Sequence, residues 1–75
     1  MQIDEIIRMG GKTLAVCSGE NLHPGLRCSK IEIDGKTIQV LDCYVKETFT
    51  AGIMAAYLTL PNDAEVHTGK IKIVA

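Results

Sequence analysis

The chain has 75 residues, of which 47% are hydrophobic, and its eight Lys and Arg against nine Asp and Glu give a net charge of −1. This balance excludes the overall basic surplus typical of nucleic-acid-binding domains, although a local basic stripe would not show in the count. The length predicts a single domain, residues 1–75, with a small core, because such a chain buries only about 60–65% of its unfolded surface.

The first predicted element is a hairpin. Residues 2–9 and 12–18 are predicted strands joined by the two-residue turn Gly10-Gly11. This register separates the side chains into an apolar face and a polar face, the half-buried pattern of an antiparallel pair. The apolar face carries Ile7, Met9, Leu14 and Val16, and the other carries Asp4, Arg8 and Thr13.

A loop and a second hairpin follow. Pro24-Gly25 suits a type II turn, because proline presets φ at its first central position and glycine accepts a positive φ at the second. Asp34-Gly35 lies between two alternating runs, which is the strongest short-range hairpin signal. Pairing across it sets Ile31 opposite Ile38 and places Glu32 and Thr37 on the outer face.

The strand after Asp34-Gly35 contains a change of parity. Ile38 and Val40 share one face, whereas Leu41, Cys43 and Val45 share the other. A strand cannot bury both sets on one side without a bulge or a sharp bend. Barrels have such corners where a strand leaves one sheet for the next, so a closed or nearly closed barrel is predicted.

Two further strands complete the prediction. Residues 53–60 form a nearly apolar strand that ends at Pro61-Asn62-Asp63, and residues 70–74 alternate again. The segment 45–58 is rich enough in alanine to support a helical turn, but Gly52 and its β-branched neighbours argue against a long helix. The fold class is therefore all-β, a small six-stranded antiparallel barrel.

The cysteines and histidines predict no catalytic or metal site. Cys17, Cys28 and Cys43 are an odd number without a preceding signal peptide, so free thiols in a soluble, cytoplasmic protein are expected. No two of the five soft ligands, which include His23 and His67, have the close spacing of a zinc site. No cofactor, no enzymatic activity and no membrane partner are predicted, since the longest apolar run is far shorter than the ~20 residues of a membrane span.

The order of turn landmarks resembles the second-domain β-barrel of translational GTPases, such as that of elongation factor Tu. The landmarks are Gly10-Gly11, Gly19, Leu22-His23-Pro24-Gly25, Asp34-Gly35, Phe49-Thr50-Ala51-Gly52 and Thr68-Gly69. The resemblance covers roughly residues 3 to 74 and implies a similar barrel. It does not imply translation-factor activity, because the chain has no GTPase motifs and carries Thr68 where the family usually has arginine.

The function predicted from these features is that of a non-catalytic binding module, which docks a protein partner or self-associates. The candidate surface is formed by Tyr44, Phe49 and Tyr57, because aromatic side chains are enriched at the centres of interfaces.

Two alternatives remain open. One is an RNA-binding or ribonucleoprotein-binding barrel, whose candidate residues are Arg27, Lys30, Lys70 and Lys72. The same lysines also suit edge strands, where charge discourages aggregation. The other alternative is an accessory domain of an enzyme whose active site lies on another chain.

Overall fold

Eight short strands make up the fold, which the computed structural model describes over residues 1–75. The strands are β1 (Gln2–Met9), β2 (Lys12–Ser18), β3 (Lys30–Ile33), β4 (Lys36–Gln39), β5 (Asp42–Glu47), β6 (Met54–Pro61), β7 (Gly69–Lys70) and β8 (Lys72–Ile73). No helix forms, so the structure contains no helical segment able to cross a membrane.

The strands form two antiparallel sheets, which confirms the predicted all-β class. Sheet A has the order β5-β6-β2-β1-β7, and sheet B has the order β4-β3-β8. Neither sheet closes on itself, because each ends in two strands that pair on one side only. The closed barrel expected from the sequence is therefore not present in the strand pairing, which describes two open sheets.

The chain passes between the sheets at two corners. At the first, the N–H of Val40 bonds to the carbonyl of Ser29 (2.9 Å), whereas the N–H of Leu41 bonds to that of Thr59 (2.7 Å). The N–H groups of two successive residues thus bond to different sheets. This is the position where the buried side chains change from even to odd residue numbers. At the second corner, Ile71 separates β7 from β8 and bonds to Met1 (3.0 Å). Counting each bent pair as one strand recovers the six predicted strands.

Both predicted hairpins have their expected register. Met9 lies opposite Lys12 across the glycine pair, and Ile33 lies opposite Lys36 across Asp34-Gly35. Asp34 and Gly35 have φ angles of 52° and 79°, the left-handed values that a type I′ turn requires at both central positions. The predicted turn at Pro24-Gly25 is also present, closed by a 3.1 Å bond from Leu26 to His23.

The side of the first hairpin that faces the core is the opposite of the one its apolar residues suggest. In β2 the buried side chains are Thr13, Ala15 and Cys17. The predicted apolar face lies outward, and its members range from half-buried to 70% exposed at Met9. Small side chains in β2 leave room in a narrow interior for the larger leucines and isoleucines of other strands, which explains the reversal.

A β-bulge at Asp4 contributes to this arrangement. Ile3 pairs with Cys17 on the buried side, but the next pair is Glu5 with Val16. The extra residue turns the strand over, so Ile3 is 1% exposed whereas Ile7, of the same parity, belongs to the outer face. Parity in the sequence predicts the same face for both isoleucines.

The two faces can be distinguished by one chemical change made on each. We expect Leu58→Ala to lower the free energy of unfolding by about 2–5 kcal/mol, because its fully buried side chain would leave a cavity. Leu14→Ala on the outer face should cost about 1 kcal/mol or less, since that side chain is already partly hydrated. Urea unfolding measures both, and equal losses would contradict the assignment of the faces.

Candidate functional site

An apolar surface lies on the side of sheet A that points away from sheet B, beside Glu5 and Thr59 of the same face. Strand register brings together Ile7, Leu14, Val16, Tyr57 and Tyr44, and we call these five residues the outer sheet face. Ile7 lies opposite Leu14, and Val16 lies opposite Tyr57. No further layer packs over this surface, because the chain forms only two sheets and the side of sheet A that faces sheet B is the opposite one.

Two of the three predicted partner-binding residues meet on this surface. Tyr44 and Tyr57 are directly opposite each other on β5 and β6, and Tyr44 is 57% exposed. The ammonium of Lys46 lies 5.7 Å from the centre of the Tyr57 ring, within the range of a cation–π contact. The pair therefore presents aromatic surface with an adjacent positive charge.

Phe49, the third predicted residue, lies apart from the tyrosines in the turn between β5 and β6. Its side chain is fully exposed. The turn is held by a 2.8 Å bond from the Gly52 N–H to the Glu47 carboxylate and by bonds between Thr48 and Thr50. Phe49 thus projects from an ordered turn at the end of the strands that carry the tyrosines.

The four basic residues of the RNA alternative do not form one stripe. Lys70 and Lys72 flank the buried Ile71 and line a common depression, but Glu20 lines it too and Glu32 pairs with Lys72. Lys70 belongs to β7, at the opposite edge of sheet A from the strand of Tyr44. Strands β5 and β7 are four strand spacings apart, which is about 19 Å along the sheet.

The other two basic residues differ in position. Arg27 is in a loop and lines a different depression, together with Asp42. Lys30 is on β3, two residues before the Glu32 that lies opposite Lys72, so Lys30 and Lys72 share one face of sheet B with this carboxylate. The structure therefore does not bring the basic residues together with the aromatic ones. Lys70 and Lys72 belong to short edge strands, one in each sheet. Lysine on an edge strand discourages aggregation with another strand.

A second candidate is a polar cleft of about 400 Å³ between the turn of β3–β4 and the segment 63–67. Arg8 organises one wall of it. Its guanidinium donates to the hydroxyl of Thr13 at 3.0 Å and to the carbonyls of Asn62 and Ala64 at 3.3 and 3.1 Å. Arg8 thereby attaches the turn after β6 to the first hairpin and satisfies Thr13, the one buried polar side chain of the core.

His67 connects the cleft to sheet B. Its Nε2 atom contacts the Asp34 carboxylate, and its Nδ1 atom lies 2.7 Å from the carbonyl of Thr68. A neutral imidazole can donate only one of these hydrogen bonds, whereas the protonated ring donates both. The Asp34 contact and the Thr68 bond therefore raise the pKa of His67 above its usual 6.5.

Four of the six ionisable side chains that line this cleft are paired within the chain. Lys36 and Glu65 form an ion pair of 3.2 Å, and Asp34 is occupied by His67. Arg8 is bonded to backbone carbonyls. Asp63 is the one carboxylate of the lining without an ion pair. Arg8 and Lys36 lie against Asp34, Asp63 and Glu65, so the cleft has no strong excess of one sign to attract a ligand.

The cysteines contribute to the core. Cys17 is fully buried and Cys28 is 8% exposed, and all three thiols are free. Burial raises the pKa of Cys17 to about 12, and it raises the pKa values of Cys28 and Cys43 as well. Protonated thiols are weak nucleophiles and weak metal ligands. No group of three or more His, Cys, Asp or Glu side chains in residues 1–75 is arranged to hold a metal ion.

Sequence reasoning missed the residues that organise the cleft. The sequence indicates His67 only as one of five possible soft metal ligands, Asp34 only as a turn former and Arg8 as one member of a polar face. The one signal in the sequence is the predicted pairing of Arg8 with Thr13 across the first hairpin, which indicates a contact between their side chains. The contacts to Ala64 and Thr68 could not be read from the sequence, because they depend on where the 61–68 segment folds back.

No protein-family model, curated protein or solved structure matches this chain. The proposed function therefore depends on the geometry of the outer sheet face.

The His67–Asp34 contact makes stability dependent on pH. Because the folded-state pKa of His67 is raised, its contribution is fully present below pH 6.5 and is lost as the pH rises through the folded-state pKa. Asp34→Asn should reduce this dependence and leave only the part due to the Thr68 carbonyl. The turn should be preserved, since asparagine accepts the same backbone conformation. Proton NMR titration of His67 and urea unfolding at pH 5.5 and 8 measure both effects. An unchanged His67 titration curve in the variant would contradict the contact.

Proposed function

We propose that this protein is a non-catalytic interaction module, which binds a protein partner or a second copy of itself through the outer sheet face. The observation that carries the proposal is an aromatic pair, Tyr44 with Tyr57, on an apolar sheet face without an overlying layer. Aromatic residues on an apolar surface are the usual centre of a protein interface.

The reversal of the first hairpin supports this proposal. A strand with two partly exposed aliphatic residues, Leu14 and Val16, directs its small residues inward instead. The narrow core places the larger side chains on the outside, where they remain partly exposed to water. Cover by another molecule would remove this apolar surface from water, which favours association.

The finer fold assignment also remains a proposal. We infer a six-stranded, barrel-like arrangement similar to the second domain of translational GTPases, supported by the two corners at Val40–Leu41 and Ile71. A likeness of fold does not determine function. The proposed interaction therefore depends on the residues of the outer sheet face and not on the likeness of fold.

RNA binding is the competing proposal, and its support is weaker. Only Lys70 and Lys72 of the four candidates share a depression, and both have acidic neighbours. An RNA-binding surface would give an affinity that falls steeply with salt and that decreases when these two lysines are neutralised. An apolar protein interface would show little of this dependence.

The proposed surface can be tested by site-specific photo-crosslinking in the cells that produce the protein. With benzoylphenylalanine replacing Tyr44 or Tyr57, we expect adducts of defined mass, which mass spectrometry would assign to a second copy or to another protein. Leu14→Gln in the same chains should reduce the adduct about tenfold, as expected when an interface loses a central apolar contact.

The matched control is the same photo-reactive residue at Thr37, which is exposed on β4 of sheet B. It should give no adduct of defined mass. The proposal is wrong if Tyr44 and Tyr57 positions give no such adduct, or if Thr37 gives the same one.

A further inference from the structure

The longest free edge of the two sheets is β5. Strands β7 and β8 have two residues each and β4 has four, whereas β5 has six and pairs with β6 without interruption. Proteins protect edges with short strands, prolines, bulges or charges of one sign, because an open edge is a template for another strand. Strand β5 contains no proline, and its charged residues include both signs.

The backbone groups of this edge form no hydrogen bond within the chain, and at its start Asp42 and Cys43 face segment 26–29 across an open depression. The Thr48 N–H bonds to the Ile53 carbonyl in the register of β5–β6, so by alternation Tyr44 and Lys46 exchange bonds with β6. The N–H and C=O groups of Cys43 and Val45 then point to the free edge. None of the backbone bonds outside the strands reaches residues 42–47.

The sequence of β5 is complementary to itself when it is read in the antiparallel direction about Tyr44. Asp42 then faces the Lys46 of a second copy, and Lys46 faces its Asp42. Cys43 faces Val45, so the outward backbone groups of both strands are in bonding position. Asp42 and Lys46 are exposed and form no ion pair within the chain, and opposite charges that face each other across strands are favourable.

We infer that a second copy of this chain pairs with β5 about a two-fold axis at Tyr44. The inference goes beyond the proposed function, because edge pairing leaves Leu14 and Val16 of the outer sheet face uncovered and joins two such faces side by side. The two copies of sheet A become one ten-stranded sheet, in which Tyr57, Tyr44 and their counterparts form a continuous row of four aromatic rings. Tyr44 meets its counterpart at a non-hydrogen-bonded pair, where side chains approach most closely.

The dimer is expected to be concentration-dependent. One six-residue strand from each copy gives an interface at the small end of the specific range, and small interfaces are usually transient. Sedimentation equilibrium over a range from about 1 μM to 1 mM is suited to such an association.

A charge exchange tests the register. Asp42→Lys places lysines 42 and 46 against each other twice per dimer, and we expect dimerisation to weaken at least about tenfold. The double variant Asp42→Lys/Lys46→Asp restores two opposite-charge pairs and should restore the dimer. Glu20→Lys makes the same charge change beside Lys70, at the opposite edge of sheet A from β5, and should have no effect. Failure of the double variant to recover would overturn the register.

A cysteine pair tests the axis by an independent measurement. In a Cys43→Ala background, Tyr44→Cys should form an intermolecular disulfide with glutathione disulfide as oxidant. The two thiols lose two protons and two electrons, and the oxidant becomes two molecules of glutathione. Paired strands at this position satisfy disulfide geometry. Tyr57→Cys is the control, because its counterpart would lie about 14 Å away and should not crosslink.

The two proposals fail separately. A chain that stays monomeric at 1 mM, with no Tyr44→Cys crosslink, overturns the β5 dimer. If the photo-reactive residue at position 44 still captures a different protein of defined mass, the interaction module stands with another partner. If neither association occurs, both proposals are wrong.

Discussion

The narrow interior between the two sheets is the constraint on which the rest of the structure depends. A chain of 75 residues cannot give each sheet a core of its own, so both sheets share one cluster of thirteen buried residues. Ala15, Cys17 and Ala56 are completely buried at its centre, and their small size lets large residues such as Leu58 and Ile31 pack between the sheets. The corners at Val40–Leu41 and Ile71 follow, because the same strands must serve both layers.

Two polar side chains connect the sheets at one end of this interior. Arg8 reaches from β1 to the segment after β6, and His67 reaches from that segment to the turn of β3–β4. Together they connect sheet A to sheet B where no strand pairing does so. Every buried side-chain nitrogen and oxygen has a hydrogen-bond partner, as a stable small core requires.

The outer sheet face is a consequence of the same packing. Since β2 directs its small residues inward, Leu14 and Val16 have to lie outside, beside Tyr57. The surface that we propose for interaction is thus produced by the demands of the core and by the bulge at Asp4, which places Ile7 with them. Beside this face, β5 has unpaired backbone groups. Its Asp42 and Lys46 lie at equal distances from Tyr44, so they would face each other in an antiparallel pair of two copies.

Local chemistry in the sequence determined the turns and the registers they impose. Asp34-Gly35 and Gly10-Gly11 accept positive φ angles, and the parity change after Val40 required a corner, so these features were predictable. The aromatic pair was predicted as a surface, although Phe49 lies apart from it. Only the tertiary structure decided which face of β2 is buried, because alternation gives two faces but not their surroundings. It also decided the contacts of Arg8 and His67, which join residues far apart in the chain.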